Sequence, residues 1–291
     1  MTAHVSKCVK IHRKNSTKYG FKLRGYDFDS EVNPPEEQGN NFNSLTYLEN
    51  FYSKVNNDAA MHIVLFYLPN IVERIPHSKT LLDVGSGPTV HMPMLFRNKV
   101  DQVYLSDFAE NNLEILHRWW KGQKVFDWTE VCKYVAQLEG DYSAWETMED
   151  RGREIVHGIY HCDVFRKGVI EDTHKAEEGF DIVTTFFCIE ASGVTTPEYN
   201  KGIRNVLKLL KPKGYLVMGG IQEDTWYKFA GRKYRCHYLT ENELFRALKR
   251  NNINIESGKY LYYAHEGVFI FMGQKLEKAS DDSSKNNEEK C

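Results

Sequence analysis

One glycine-rich turn limits the fold of this chain more than any other feature. The apolar run Thr80-Leu81-Leu82-Asp83-Val84 predicts a buried strand, which ends at Gly85-Ser86-Gly87, and residues 89–96 continue with helical patterning. A strand, a glycine turn and a helix form the first part of an α/β unit. Glycine at such a turn lets a ligand approach the backbone closely. The pattern therefore predicts an α/β domain with a ligand at this turn.

Strand and helix patterns alternate through most of the chain. Further strands are predicted at residues 102–106, 158–162, 181–187, 215–218, 260–263 and 268–272, and helices at 109–120, 127–158, 199–210 and 241–251. This alternation is typical of a mostly parallel sheet covered by helices on both faces. Ligands of such sheets bind beyond the carboxyl ends of the strands.

The two ends of the chain differ in composition from its middle. Residues 1–40 are mostly polar, with Pro34 and Pro35 before a polar run, and we expect a flexible extension there. Residues 276–291 are nearly free of apolar side chains, which predicts a disordered tail. We expect residues 41–275 to form one domain.

Charge and cysteine content exclude several classes of protein. The 291 residues include 38 Lys and Arg against 40 Asp and Glu, a net charge of −2. This balance lacks the basic field of a nucleic-acid-binding protein and the basic clusters that bind anionic membranes. The six cysteines form no CxxC pair, and no apolar run has the length of a membrane span. We expect a cytoplasmic monomer with free thiols.

Acidic residues follow successive predicted strands and indicate the kind of ligand. Asp107 ends the second strand, about 20 residues after the glycine turn, at a position suited to binding ribose hydroxyls. Asp163 follows the third strand, where an acid can accept a hydrogen bond from an adenine amino group. Helix capping is the alternative interpretation of both acids.

The glycine turn argues against a dinucleotide as that ligand. Val90 stands where a dinucleotide fingerprint has its third glycine, and Asp83 precedes the first glycine by two residues, which disfavours a pyrophosphate. S-adenosylmethionine is cationic and has no phosphate, so it fits the acids better. An ordinary glycine turn and a nicotinamide-dependent oxidoreductase remain the alternatives at this point. His157, His161 and Asp163 have no evident fourth ligand, so we expect no metal.

Longer stretches between residues 42 and 275 resemble one enzyme family. They are NSLTYLENFY, LLDVGSGPTV, FDWTEVCKYVAQLEG, CDV, FFCIEA, LLKPKGYLVMGG, EDTWY and EGVFIFMGQK. These stretches resemble the small-molecule amine N-methyltransferases that act on nicotinamide, phenylethanolamine and indolethylamine. The resemblance implies the Rossmann-like class I S-adenosylmethionine-dependent methyltransferase fold, a doubly wound, mostly parallel seven-stranded sheet with an N-terminal helical lid. It also implies methyl transfer from S-adenosylmethionine to the nitrogen of a small aromatic or biogenic amine.

The resemblance implies roles for individual residues. It assigns cofactor contacts to Tyr47, Tyr52, Gly85, Ser86, Gly87, His91, Asp107, Asn112, Asp163, Val164 and Phe186. It assigns the substrate site to Tyr47, Phe187, Glu190, Asp224 and Tyr227. We expect Glu190 to take the amine proton and Asp224 to orient the nitrogen. His91 stands where the family usually has Tyr, and Phe186 where it usually has a smaller side chain.

Two acids decide which branch of the family the substrate site resembles. The segments around Glu190 and Asp224 resemble the phenylethanolamine branch, whereas the nicotinamide branch has Asp at the position of Gly220. A third acid of the phenylethanolamine branch has no match here, and Tyr263 lies roughly at its position. A nicotinamide or pyridine N-methyltransferase and a non-catalytic S-adenosylmethionine-binding module are the alternative interpretations.

Overall fold

Two sheets, one of seven strands and one of three, form the framework of the protein. The computed structural model describes residues 32–40, 42–56 and 58–277. The strands are β1 (Val32–Asn33), β2 (Ser78–Val84), β3 (Val100–Asp107), β4 (Val156–His161), β5 (Phe180–Phe186), β6 (Leu210–Ile221), β7 (Trp226–Phe229), β8 (Arg232–Arg235), β9 (Tyr260–His265) and β10 (Val268–Gln274). The large sheet has the order β4-β3-β2-β5-β6-β10-β9, and the small sheet has the order β1-β8-β7.

The large sheet is mostly parallel. Its five strands from β4 to β6 pair in parallel, and β10 is antiparallel to both of its neighbours, β6 and β9. Parallel pairs need crossover connections, which helices usually supply. This arrangement confirms the expected doubly wound, mostly parallel seven-stranded sheet.

Helices cover both faces of the large sheet. They are α1 (Pro35–Asn40), α2 (Ser44–Tyr52), α3 (Ala59–Glu73), α4 (His91–Phe96), α5 (Glu110–Trp120), α6 (Thr129–Glu139), α7 (Trp145–Glu154), α8 (Thr173–Glu178), α9 (Ile189–Ser192), α10 (Thr196–Lys208) and α11 (Glu241–Arg250). Neighbouring residues of β2 point to opposite faces. Leu81 packs in an apolar cluster with Leu68 of α3, whereas Leu82 packs in a second cluster with Ile203 of α10.

The long helical region predicted at residues 127–158 is divided in the structure. Gly140 ends α6 with a φ of 76°, a left-handed conformation that glycine adopts without strain. A short 3₁₀ turn at Tyr142–Ala144 and helix α7 follow. The helical prediction is therefore confirmed for α6 and α7, but the chain turns at the glycine, and residues 156–158 belong to β4 rather than to a helix.

The segment before the domain is more ordered than its polar composition indicated. The flexible extension expected for residues 1–40 is wrong for residues 32–40, which form β1 and α1. β1 pairs in parallel with β8, and Nδ2 of Asn33 donates to the carbonyl oxygen of Lys233 at 3.0 Å. Pairing with a distant hairpin gives no local sequence signal. The remaining residues of that prediction, 1–31, lie outside the described residues.

The carboxyl-terminal boundary lies close to the expected one. The main-chain N–H of Leu276 donates to the carbonyl oxygen of Asn252 at 2.8 Å, so the first residue of the expected tail still contacts the domain. Residues 278–291 of that prediction lie outside the described residues. Over the described ranges, every helix is too short or too polar to pass through a bilayer.

Candidate active site

A cavity of about 680 Å³ opens beyond the carboxyl ends of the parallel strands. The glycine turn after β2, Asp107 at the end of β3 and Asp163 after β4 line one side of it. Tyr47 of α2 and Phe229 of β7 line the other side. Every residue that the sequence assigned to cofactor or substrate is among its lining residues. Strand ends are where open α/β sheets bind ligands, so the predicted residues converge where a ligand belongs.

The glycine turn is shaped by two left-handed backbone conformations. Gly85 has a φ of 73° and Gly87 a φ of 61°, which side-chain-bearing residues adopt only with strain. The main-chain N–H groups of Gly85 and Ser86 both donate to the carbonyl oxygen of Ser106, at 2.9 and 2.8 Å. The turn is therefore fixed against β3 and presents bare backbone to the cavity.

Asp107 joins the glycine turn to the helix after β3. Its Oδ2 accepts the N–H of Gly87 at 2.7 Å, and its Oδ1 accepts the N–H of Ala109 and Nδ2 of Asn112, each at 2.9 Å. Burial raises the pKa of Asp107, although these donors act in the opposite direction. Two carboxylate oxygens offer about four acceptor positions. Asp107 thus organises the local backbone and keeps acceptor capacity toward the cavity.

A second buried contact fixes the helix that covers the cavity. Oγ of Ser44, the first residue of α2, donates to Oδ1 of Asn112 at 2.7 Å. Asn112 in turn donates to Asp107. The position of α2 is therefore linked, through one asparagine, to the carboxylate beside the glycine turn. Ser44 was not predicted, because a lone serine before an apolar segment gives only a helix-start signal.

Asp163 holds a tight turn at the cavity wall. Its Oδ1 accepts the main-chain N–H of Phe165 at 2.7 Å. Asn205 of α10 fixes the next residue, donating from Nδ2 to the carbonyl oxygen of Val164 at 3.0 Å. No helix begins at Asp163, so the capping interpretation is wrong for this residue, which holds a turn and also lines the cavity. No three His, Cys, Asp or Glu side chains group as a metal site in the part of the chain that the structure describes.

His91 is a buried polar side chain without a protein partner. It is 5% exposed, and neither ring nitrogen has a hydrogen-bond partner among the described residues. Its ring stacks on Tyr52 with centroids 5.5 Å apart, and burial lowers its pKa to about 4, so the ring is neutral at pH 7. Unsatisfied buried nitrogens are costly. Because His91 lines the cavity, a bound molecule is the natural partner for them.

An aromatic cover closes one side of the cavity. Phe229 of β7 lies against Phe42, with ring centroids 5.1 Å apart, and against Tyr47, with centroids 5.6 Å apart. Phe51 packs on Tyr47 at 4.7 Å. Phe42, Phe51 and Phe229 were missed from the sequence, although Ala230-Gly231 between the short runs 226–229 and 232–235 is a hairpin signal that could have located β7 and β8.

Two further acids, Glu190 and Asp224, line the cavity. Glu190 of α9 is 3% exposed, and its Oε1 accepts the N–H of Ile221 at 3.0 Å. Burial raises the pKa of Glu190 to about 7. Glu190 is therefore a buried acid and not a solvated one at the end of β5. A carboxyl group with this pKa can release or take up a proton at neutral pH.

Asp224 combines a turn with a place in the cavity wall. It is 7% exposed, and Oδ1 accepts the N–H groups of Thr225 at 2.8 Å and Trp226 at 3.4 Å. Burial raises its pKa. Asp224 thus holds a turn, and the same side chain also lines the cavity beside Trp226 and Tyr227.

Asp83 supports the glycine turn from below. Its Oδ1 accepts Oγ1 of Thr184 at 2.6 Å, it is 3% exposed, and burial raises its pKa to about 6. Three cysteines, Cys162, Cys188 and Cys236, also line the cavity without having been assigned a role. They are free thiols, and burial raises the pKa of each.

Known proteins are similar to this chain in sequence, and others are similar to it in fold. The family model described as the NNMT/PNMT/TEMT family matches residues 31–276. Nicotinamide N-methyltransferase of Caenorhabditis elegans is 32% identical over 250 residues, covering 82% of this chain and 91% of that protein. Phenylethanolamine N-methyltransferase of Macaca mulatta is 26% identical over 208 residues, covering 68% and 74%. The structure of the PH0226 protein from Pyrococcus horikoshii shares the fold, with a TM-score of 0.52 at 13% identity over 79% of this chain and 98% of that one.

These similarities remove one alternative. Over the matched lengths the sequence is more similar to the nicotinamide relative than to the phenylethanolamine relative, whereas the resemblance to the phenylethanolamine branch concerns only the segments around Glu190 and Asp224. A match over residues 31–276 excludes the dinucleotide-dependent oxidoreductase. The chain therefore belongs to the NNMT/PNMT/TEMT family, and it is an N-methyltransferase that uses S-adenosylmethionine as its methyl donor.

Proposed function

We propose that this enzyme methylates the nitrogen of a small, positively charged aromatic amine. The observation that carries the proposal is the pair of buried acids, Glu190 and Asp224, that line the cavity together with aromatic side chains. Carboxylates that line one cavity attract a cation. Aromatic faces favour both an aromatic ring and a positive charge. A neutral substrate would leave both acids without a counter-charge.

The cavity residues fit the methyl donor. The orphaned nitrogens of His91 and the open space beside Gly87 favour a ligand at this end of the cavity. The residues that would hold the donor are Tyr47, Tyr52, Gly85, Ser86, Gly87, His91, Asp107, Asn112, Asp163, Val164 and Phe186. The donor supplies a methyl group activated by its positively charged sulfur.

Glu190 supplies the proton acceptor in this proposal. An amine is mostly protonated at neutral pH and then has no lone pair for attack. Because its pKa is near 7, Glu190 is partly ionised and can accept that proton. Asp224 orients the nitrogen through its carboxylate. The positive charge of the bound amine further favours the ionised form of both acids.

Aromatic side chains of the cavity wall bind the amine and exclude water in the same scheme. Tyr47 and Tyr227 lie on the side of the cavity closed by α2 and β7, where they contact the amine substrate and exclude water. Phe187 of the β5–α9 connection completes the wall beside Glu190. Alignment of the nitrogen with the methyl group is the main contribution that a protein makes to such a displacement.

Methylation of a neutral pyridine is the second candidate, and sequence similarity supports it. The 32% identical relative is named as a nicotinamide N-methyltransferase. A screen with labelled methyl donor would decide between the two, using arylalkylamines, imidazoles and pyridines at equal concentration. We expect arylalkylamines to be methylated most efficiently. Preference for nicotinamide would contradict the proposal, and tight donor binding without methylation of any compound would favour a non-catalytic binding module.

We also propose a cytoplasmic, monomeric enzyme, whose catalytic domain extends beyond the expected residues 41–275 to include β1 and α1. The balanced charge and the free thiols support a reducing compartment and a small-molecule partner. Light scattering after size-exclusion chromatography tests the monomer. A mass of twice the 33.9 kDa of the chain would contradict it.

A further inference from the structure

The helix that carries Glu190 is held from behind the cavity wall. α9 has four residues, so few of its main-chain groups can bond within the helix itself. The main-chain N–H of His237 donates to the carbonyl oxygen of Glu190 at 2.8 Å. His237 is 5% exposed and is not among the residues that line the cavity. The position of α9 therefore depends on a residue that a ligand does not touch.

The imidazole ring of His237 is fixed by three other parts of the chain. Nε2 lies 3.0 Å from Oε1 of Glu243 on α11, and Nδ1 lies 3.4 Å from the carbonyl oxygen of Val194 after α9. The ring also stacks on Tyr199 of α10, with centroids 5.2 Å apart and 26° between the planes. These contacts leave the main chain of His237 little freedom.

Electrostatics indicate that this cluster and the catalytic acid are close. Burial raises the pKa of Tyr199, and the negative charges of Glu190 and Glu243 raise it further. The Tyr199 ring therefore lies within the electrostatic range of the acid in the cavity and of the acid that holds His237. The side chains of Tyr199, His237 and Glu243 form one buried group behind α9.

Two main-chain hydrogen bonds thus hold Glu190, one to its carboxylate and one to its carbonyl oxygen. Ile221 of β6 holds its carboxylate, and His237 holds its carbonyl oxygen. We propose that His237 is a positioning residue for methyl transfer, whose anchored ring fixes α9 and so keeps the Glu190 carboxylate at the amine. This inference rests on the proposed role of Glu190. A shift of about 1 Å in a reacting group can cost about 100-fold in rate.

A double-mutant cycle tests this role. His237→Phe keeps an aromatic ring against Tyr199 but removes both polar contacts of the imidazole. We expect this variant to lower kcat about tenfold in the wild-type background and less than about twofold in a Glu190→Gln background, because the acid through which it acts is then already lost. Donor affinity, measured by calorimetry with S-adenosylhomocysteine, should stay within about twofold. His157→Phe, a change of an exposed His on β4, is the matched control and should leave kcat unchanged.

The outcomes separate this inference from the proposed function. Equal losses of kcat from His237→Phe in both backgrounds would show a merely structural residue and overturn the inference, while leaving the role of Glu190 intact. Wild-type turnover of Glu190→Gln would overturn both.

A second pair of variants keeps the inference testable if His237→Phe does not fold. Glu243→Ala removes the partner of Nε2, whereas Glu243→Gln keeps an acceptor oxygen for it. We expect Glu243→Ala to lower kcat and Glu243→Gln to retain most of the wild-type kcat. Equal kcat values for the two variants would overturn the inference.

Discussion

The carboxylate of Glu190 lies where Gly220 lacks a side chain. A Cβ atom added to Gly220 would come within 2.7 Å of the carboxyl carbon of Glu190, a distance that real Cβ contacts do not show. The next residue of β6, Ile221, donates its N–H to the same carboxylate. The Glu190 carboxylate can therefore reach β6 from α9 only because position 220 of β6 is a glycine. An aspartate at position 220, which the resemblance gives for the nicotinamide branch, would compete with Glu190 for this space.

Adding one methyl group to β6 should displace the proposed proton acceptor, Glu190, without unfolding the protein. We expect Gly220→Ala to push the Glu190 carboxylate away and to lower kcat about 100-fold, the order of a general-base contribution. Steady-state kinetics with the best amine measures the loss, and calorimetry should show unchanged donor affinity. In the Glu190→Gln background the same change should add almost nothing. Full additivity of the two losses would argue against the steric explanation.

The pH dependence of kcat/KM should report the ionisation of Glu190. Its pKa is raised to about 7 by burial, and only the ionised form accepts a proton, so kcat/KM should rise as the pH increases through about 7. The profile is best measured with an amine that stays protonated over the whole range. Glu190→Gln should remove this limb. A limb of unchanged midpoint in that variant would assign it to another group.

The same raised pKa has a consequence for stability with a defined sign. Native Glu190 keeps its proton up to about pH 7, because its pKa is raised, whereas the unfolded chain loses it near the ordinary glutamate pKa of 4.5. Between these two values the native state binds more protons, so this residue lowers stability as the pH rises. Thermal melting should therefore show Glu190→Gln gaining stability relative to wild type from pH 4.5 to 7. A constant difference across that range would contradict the raised pKa.

The strands of the large sheet and their mostly parallel arrangement could be predicted from the sequence, because buried parallel strands are short apolar runs that end in characteristic turns. Every residue assigned to the site also lines the cavity, since strand ends converge at one edge of the sheet. The burial of Glu190 was not readable. It depends on Gly220 and Ile221 of β6. Ile221 lies 31 residues after Glu190, and local sequence carries no record of that contact.

The assembly of the aromatic cover was the other part that the sequence could not provide. β1 has two residues and gains its pairing from β8, about 200 residues later along the chain. The hairpin of β7 and β8 mixes aromatic and basic residues and has no apolar run. Their assembly over the cavity depends on contacts of Phe229 with Phe42 and Tyr47 that join distant parts of the chain.

The orphaned nitrogens of His91 predict a specific loss of donor affinity. His91→Phe keeps a ring that can stack on Tyr52 but removes both nitrogens. We expect the affinity for S-adenosylhomocysteine to fall about tenfold, the value of one net hydrogen bond, with kcat at saturating donor little changed. Calorimetry measures the affinity. An unchanged dissociation constant would show that the nitrogens do not contact the donor.

The aromatic cover should contribute to amine binding and to stability. Phe229 is 4% exposed and contacts Phe42, Tyr47 and Phe51. Phe229→Ala should lower the free energy of unfolding by about 3 kcal/mol and raise KM for the amine, because the cover then packs loosely. Phe229→Leu is the matched control and should keep both the free energy of unfolding and KM for the amine close to their wild-type values. Chemical denaturation and amine kinetics measure the two effects, and an unchanged KM for Phe229→Ala would remove the cover from substrate binding.

The most direct test compares turnover with donor affinity for Glu190→Gln, using the amine that the wild-type enzyme methylates best. If the buried acid takes the proton of a cationic amine, kcat falls about 100-fold while calorimetry shows the same affinity for S-adenosylhomocysteine. Loss of turnover matched by an equal loss of donor affinity, or turnover at the wild-type level, would contradict the account.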